Sequence, residues 1–338
     1  MKSPFTDKEM KVVREKDVLQ FRKESFSFYR FAYKCEDTGE LFTDSVMQEL
    51  NLNQIYNQYR EKYNIPFPEE IRKIRKKYGL SASKMSSILG FGTNSYRQYE
   101  NGDIPSISNA KLIHLAKNPL TFKQMVLDSS DLTKKESSAI CDKIDELISK
   151  NHHDKLIHLK HYILGNESPD RFSGYKVPDL DKFCEMVIFF SKQLTPLKPV
   201  LSSLLFCSDF QNYQKTTYSI SGMRYLENDF GPAPHHFHSI FEMLNDMDCI
   251  HISYDSKNGY LGERFEVSQN KLFNEHLFTK DEIQTLEEVA CNFKSQKHYN
   301  RNDQYLKSCG IDPNTSSKSI IDYNKAFELY SLDDSLDK

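Results

Sequence analysis

Between Pro68 and Leu127 the apolar residues come in short helical bursts, each closed by punctuation. Pro68 opens the first, with Glu69 and Glu70 in its first turn, where acids suit the helix dipole. Ile71, Ile74 and Tyr78 share one face of this burst, and Gly79 ends it. Ser81 caps a second helix that turns Met85, Ile88 and Leu89 inward and stops at Gly90. A third starts at Gly92 or Thr93, runs through Tyr99 and ends at Asn101-Gly102. Ser106 and Thr121 cap two more. This pattern predicts a domain of five short helices over residues 66–127.

Charge singles out the same segment. Residues 66–125 carry ten basic and four acidic side chains, net +6. Residues 1–65 are balanced, and 126–170 and 171–338 are net −3 and −6. A basic module inside an acidic chain is the electrostatic footprint of nucleic-acid binding. On charge alone, a solvated basic helix face accounts for it equally well.

Around this core the chain of 338 residues reads as mainly α with a small β component. Residues 1–65 form an α+β segment: an aromatic strand-like stretch with Phe26, Phe28 and Phe31 ends at Tyr33, and Leu52, Ile55, Tyr56 and Tyr59 follow a helix template. Residues 128–178 read as a helical linker, with Ile140, Ile144 and Leu147 on one face and Leu156, Leu159 and Ile163 on another. Gly165 to Pro178 is the expected boundary. Residues 179–330 form an α+β domain. In it a very apolar helix over about 197–213 is expected to be central and buried. Helices are also expected around Leu180–Ile188, Phe237–Leu244 and Ile321–Tyr330, with a hairpin turning at Asn258-Gly259 and a capping box at Thr279-x-x-Glu282. No internal repeat is visible. No apolar run approaches the ~20 residues of a membrane span, and seven scattered cysteines without a CxxC fit a reducing cytoplasm.

The residues Ile71–Gly90 followed by Thr93–Gly102 place a capped helix, a glycine turn and a second helix whose outer face is Asn, Ser, Arg and Gln. Major-groove reading uses such side chains, Asn and Gln on adenine and Arg on guanine. Tyr96 and Tyr99 point inward at i, i+3, which leaves Thr93, Asn94, Arg97 and Gln98 on the open side. Lysines and arginines of the first helix are candidates for phosphates. Pro-Glu-Glu-Ile-Arg-Lys-Ile-Arg before the turn and Tyr-Glu-Asn-Gly after the second helix resemble the Xre/Cro-type helix-turn-helix of antitoxins of the MqsA/YgiT kind, over about residues 30–127. That resemblance implies a dimer on a palindromic operator, with Ser83, Lys84, Thr93, Asn94, Ser95, Arg97 and Gln98 as the DNA-facing set. Ser83 departs from the glutamine common at its place.

The same family often carries an N-terminal zinc module with two CxxC pairs. Tyr33–Phe42 looks like its second half, but Thr38 stands where the partner of Cys35 would be, and no cysteine precedes Cys35. Structural zinc needs about four N/S ligands, so the metal is expected to be lost and an aromatic core to hold the segment. No cofactor is expected elsewhere.

In the C-terminal region, Leu204–Tyr213 reads as a buried helix whose end exposes Asp209, Asn212 and Tyr213, and Ser219–Pro234 as a strand entering a Gly-Pro-x-Pro turn. A plain scaffold would use the same residues. Together they resemble the SocA-like Panacea antitoxin domain, over roughly 180–300. This resemblance implies a protein-binding module that neutralises a cognate toxin by direct contact. Asp209, Asn212, Tyr213, Arg224, Asp229 and His235 are the candidate toxin contacts.

Rival chemistries are weaker. His235, His236 and His238 with Cys207 or Cys249 fit no ligand spacing. Cys207 sits in a helix expected to be buried, where thiols are inert. GxSxG, P-loop and GxGxxG motifs are absent. The sequence therefore points to a non-enzymatic antitoxin with two partners, operator DNA and a protein toxin. The alternative is a helix-turn-helix regulator that senses another protein or a ligand.

Overall fold

A computed structural model describes residues 1–151, 162–165, 168–228, 231–257, 260–295 and 319–328. The chain divides into two compact units, Met1–Leu159 and Lys160–Lys338. It is mainly helical, with small antiparallel sheets.

The first unit opens with β1 (Lys11–Phe21) and β2 (Glu24–Lys34), paired in register from Lys11↔Lys34 to Phe21↔Glu24. Arg22 and Lys23 between them both have positive φ, 47° and 69°, the backbone of a type I′ hairpin turn. A short β3 (Leu41–Phe42) pairs with the end of β2. Helix α1 (Ser45–Tyr63) starts at Asp44, whose carboxylate accepts from the Met47 amide at 2.8 Å. It covers β2 in an unusual way. Asn51 and Gln54 each accept a backbone N–H of β2 (Phe31 at 2.8 Å, Tyr29 at 2.9 Å) and donate to the same residue's carbonyl. Gln58 donates to Ser27 O at 2.9 Å. Side-chain amides spaced along one helix face thus occupy the hydrogen-bonding groups beyond the reach of β3, which protects a strand edge that would otherwise stay open. Of the predicted apolar face, Ile55 and Tyr59 are buried against Phe26 and Phe28, while Leu52 and Tyr56 are half-buried.

Five helices follow, as the punctuation predicts: α2 (Pro68–Lys77), α3 (Ala82–Ile88), α4 (Ser95–Glu100), α5 (Ile107–Leu115) and α6 (Pro119–Asp128). Ser81 and Ser106 cap as expected. Thr121 does not. Asn118 caps α6 instead, accepting from Leu120 and Thr121 amides, because Pro119 takes the first helical position and moves the start upstream. Ile71, Ile74, Tyr78, Met85, Ile88, Leu89, Tyr96, Ile113, Phe122 and Val126 form one buried cluster. Helix α7 (Lys134–Asn151) adds Ile140, Cys141 and Ile144 to it. Leu156 and Leu159 lie outside the described residues, and Ile163 is buried.

The second unit is built on α8 (Leu180–Leu194) and α9 (Lys198–Thr216). Every residue of α9 from Val200 to Phe210 is buried, as the all-round apolar pattern predicts. Short strands β4 (Tyr225–Leu226) and β5 (Ala233–Pro234) pair beside it, followed by α10 (Phe237–Asp246). The expected hairpin is β6 (Ile250–Lys257) with β7 (Tyr260–Val267), its Asn258-Gly259 turn lying outside the described residues. Helix α11 (Lys280–Ser295) begins at the predicted capping box, with Thr279 N donating to Glu282 and Glu282 N to Thr279 Oγ1. Among the described residues the predicted terminal helix is a 3₁₀ turn at Tyr323–Phe327. Ile320 bridges to Leu226, and the Tyr323 hydroxyl donates to Met223 O at 2.7 Å, so side-chain docking rather than helix propagation fixes this stretch. No helix among the described residues is long and apolar enough to cross a membrane.

Candidate functional site

The segment expected to be a helix-turn-helix comprises α3, the Gly90–Asn94 turn and α4. A six-residue helix has little stability of its own, so its position rests on what it packs against. Tyr96 supplies most of this. Its ring is fully buried, its amide donates to Ser86 Oγ at 3.1 Å on α3, and its hydroxyl donates to Ile71 O at 2.8 Å on α2. Burial raises the Tyr96 hydroxyl pKa well above its ordinary value, which keeps it a donor. Tyr99 packs edge-on against Phe91 and accepts from Asn109 at 2.9 Å. Glu100 closes the inner face. Arg75 grips its carboxylate with two bonds, at 2.6 and 3.1 Å, while Arg72 donates to its carbonyl at 2.9 Å. With Tyr96, Tyr99 and Glu100 turned inward, Thr93, Asn94, Arg97 and Gln98 are exposed together. Ser83 at the start of α3 is exposed, and Ser95 is half-buried.

The surrounding charge is less available than the count implies. Of the ten basic side chains in residues 66–125, Arg72 and Arg75 bond Glu100, and Lys77 donates to Lys117 O at 3.1 Å. Lys73, Lys84, Lys117 and Lys123 pair with Glu69, Glu136, Glu70 and Asp145. Among the described residues only Lys76, Arg97 and Lys111 of this set have no such partner. The cations of α2 named as phosphate candidates differ in this respect. Lys76 is open, while Arg72, Arg75 and Lys77 also make hydrogen bonds within the domain, Arg72 and Lys77 remaining exposed.

In the second unit the candidate contacts need a larger correction. Asp209 is wholly buried and accepts four hydrogen bonds: Ile220 N and Ser221 N at 2.8 Å, Ser221 Oγ at 2.5 Å and Tyr225 Oη at 2.7 Å. Burial raises its carboxyl pKa despite these donors. Asn212 donates to Tyr218 O at 2.8 Å, and the Tyr213 hydroxyl donates to Asn324 at 2.8 Å; both residues are buried. Arg224 pairs with Asp170 at 2.7 Å and is largely covered. Asp229 lies outside the described residues, and His235 is half-buried against His236, with desolvation depressing its pKa. The helix does not end near Tyr213. It continues to Thr216, and the chain then folds back so that Ser219–Tyr225 lies on the polar side of α9. Thr217, at φ 65°, begins that return, and Gly222 continues it in close contact with Pro178: its φ is +74°, and a Cβ there would meet Pro178 at 2.8 Å.

What the Gly-Pro-x-Pro segment does expose is a cleft of about 320 Å³, lined by Lys198, Pro199, Asn228, Pro232, Phe237 and His238 among others. Lys198 bonds His238 Nδ1 at 3.0 Å, pairs with Glu263 and lies 5.1 Å over the Phe237 ring. The sequence reading missed these residues. The available signal was a basic residue at the start of α9 and an aromatic residue just after the turn.

Comparison with known families agrees with both halves. Residues 5–123 match the family model of the antitoxin component of bacterial toxin-antitoxin systems, MqsA. Residues 201–303 match that of the antitoxin SocA-like, Panacea domain. The chain is a fusion of these two kinds of antitoxin domain. No curated protein matches it.

Proposed function

We propose that the chain neutralises a protein toxin by direct binding through its second unit and, as a dimer, binds the operator of its own operon through the helix-turn-helix, repressing it. Both domain families are antitoxin families, which supports the role as a whole. The observation that carries the DNA-binding half is the exposed row Thr93, Asn94, Arg97 and Gln98, held outward by the anchors Tyr96 and Glu100. For toxin binding, the cleft beside Pro232 replaces the buried residues of α9 as the candidate contact surface. The action is occlusion, without chemistry on the partner, in the cytoplasm.

A second reading, a regulator that senses a ligand, is favoured by the size of that cleft, which falls in the range of small-molecule sites. Co-expression separates the two. The antitoxin reading expects the neighbouring open reading frame to be lethal alone and harmless beside this chain, with a mobility shift on its own promoter. A harmless neighbour, or lethality that this chain leaves untouched, removes the antitoxin reading.

A further inference from the structure

The first ten residues and the β2–β3 connection build the same turn twice. In the first, Ser3 N donates to Lys8 O at 2.8 Å and Asp7 N to Ser3 O at 3.0 Å. In the second, Cys35 N donates to Glu40 O at 2.9 Å and Gly39 N to Cys35 O at 2.8 Å. Counting from Ser3 or Cys35 as position i, both turns bond N–H(i) to O(i+5) and N–H(i+4) to O(i). Both put i+4 in the left-handed region, Asp7 at φ 55° and Gly39 at φ 73°. Both close on a strand pairing between i−1 and i+6, Lys2↔Glu9 and Lys34↔Leu41. This is an internal repeat that the sequence hides.

The side chains at i and i+3 of the two turns meet. Ser3 Oγ lies 3.2 Å from Cys35 Sγ and Thr6 Oγ1 lies 3.9 Å from it, and Ser3 foremost, then Thr38 through its hydroxyl and backbone, lower the Cys35 pKa. Two turns that each offer positions i and i+3 to a shared centre form the frame of a tetrahedral four-ligand site. The donor set does not suit zinc: Cys35, its pKa lowered to about 6 mainly by Ser3 and Thr38, supplies one sulfur ligand, but the other three positions hold neutral hydroxyls where thiolate, imidazole or carboxylate would be needed. Among the described residues no cluster of three or more His, Cys, Asp and Glu side chains stands in for them.

We infer that the paired turns at Ser3–Lys8 and Cys35–Glu40 are the two halves of a four-ligand metal knuckle whose backbone frame is retained and whose centre is held by hydroxyl-to-sulfur hydrogen bonds in place of an ion. The N-terminal fold is therefore independent of metal, and the site is one set of side chains away from binding one.

The test uses the full chain and the variant Ser3→Cys/Thr6→Cys/Thr38→Cys, each refolded and purified with and without zinc. The variant takes up one zinc per chain, shows the visible absorption of tetrahedral thiolate-bound cobalt when cobalt replaces zinc, and melts at a higher temperature with metal than after chelation. The unaltered chain binds neither ion, and its melting is unmoved by chelator. Stoichiometric zinc in the unaltered chain, or a chelator-induced fall in its melting temperature, overturns metal independence. A triple variant that takes up no metal, folded or not, overturns the retained frame. Cys35→Ser in the triple background, leaving three thiols, weakens cobalt binding and shifts its absorption; unchanged spectra would place the ion elsewhere.

Discussion

Lys84, on α3, lies 2.8 Å from the carboxylate of Glu136 in the first turn of α7. The pair sets an acid from outside the helix-turn-helix against a cation counted for phosphate binding. Glu136 also accepts from the Thr133 amide at 3.0 Å and hydroxyl at 2.8 Å. Lys84 foremost, then Thr133, hold its carboxyl down to about 2, so it is fully ionised at neutral pH. Glu136→Gln keeps the capping geometry, since glutamine serves in a capping box, but releases the charge of Lys84. Promoter affinity is expected to rise, and the salt dependence to steepen by ~0.9 in log–log slope if Lys84 gains one phosphate. Titrations at several salt concentrations measure it; identical slopes would show that Lys84 does not approach the backbone.

Direct readout is tested by Asn94→Ala combined with Arg97→Ala. Both side chains are exposed, so the melting temperature should barely move, because surface changes usually stay within ~0.5 kcal/mol. Each lost base contact costs roughly 1–3 kcal/mol of discrimination. Operator binding is therefore expected to fall at least tenfold at matched salt, while binding to unrelated DNA falls far less. Equal losses on both DNAs would leave these residues a purely electrostatic part.

The buried ion pair of the second unit gives a pH prediction. Lys182 meets both oxygens of Glu282 at 2.7 Å, with little exposure on either side. Burial pushes the Glu282 carboxyl up, but Lys176, Lys182 and the Thr279 amide outweigh it and the net shift is downward. A depressed folded pKa means that this contribution is complete above the unfolded value of about 4.3 and is lost as pH falls below it. Glu282→Gln strands the Lys182 ammonium and should cost roughly 3–5 kcal/mol near neutrality. It should also flatten the acid limb of stability against pH. Parallel acid limbs in wild type and variant, followed by urea unfolding, would contradict this.

The parts of the fold that follow from local spacing were open to sequence reading. Capped helices with glycine stops, the apolar faces and the hairpin all depend on contacts within a few residues. The outward row on α4 was legible because Tyr96 and Tyr99 declare the inner face. What stayed hidden depends on partners far along the chain. Asp209 reads as a polar residue near a helix end, yet Ser221 and Tyr225 return to it after the chain reverses at Thr217. The ladder from Asn51, Gln54 and Gln58 to β2 looks like an ordinary polar face. The doubled turn at Ser3 and Cys35 is hidden because its ligand positions no longer share a residue type. Charge counting overstates the open positive charge for a related reason, since it cannot see Glu100 or Glu136 approaching the lysines and arginines it sums.

Asp209 itself is expected to act on stability, not on partner contact. Asparagine there replaces an acceptor with an NH₂ that must face a group now donating to the carboxylate. An unsatisfied buried partner costs roughly 1–3 kcal/mol. Asp209→Asn should lower the unfolding midpoint of the chain by that measure. At temperatures where the variant remains folded, toxin neutralisation should match wild type. Loss of neutralisation in a fully folded variant would return Asp209 to the contact surface.

The cleft beside Pro232 makes the opposite demand. Asn228 is exposed at its rim, so a bulky side chain there leaves the core untouched and stability within ~0.5 kcal/mol. Asn228→Trp is expected to block entry over Phe237 and His238 and weaken neutralisation in co-expression, with promoter binding unchanged because the helix-turn-helix belongs to the other unit. The variant separates the two activities, which a destabilising substitution cannot do. If the tryptophan variant protects cells as well as the unaltered chain does, the partner docks on another face of the second unit, and the cleft is left to the ligand-sensing reading.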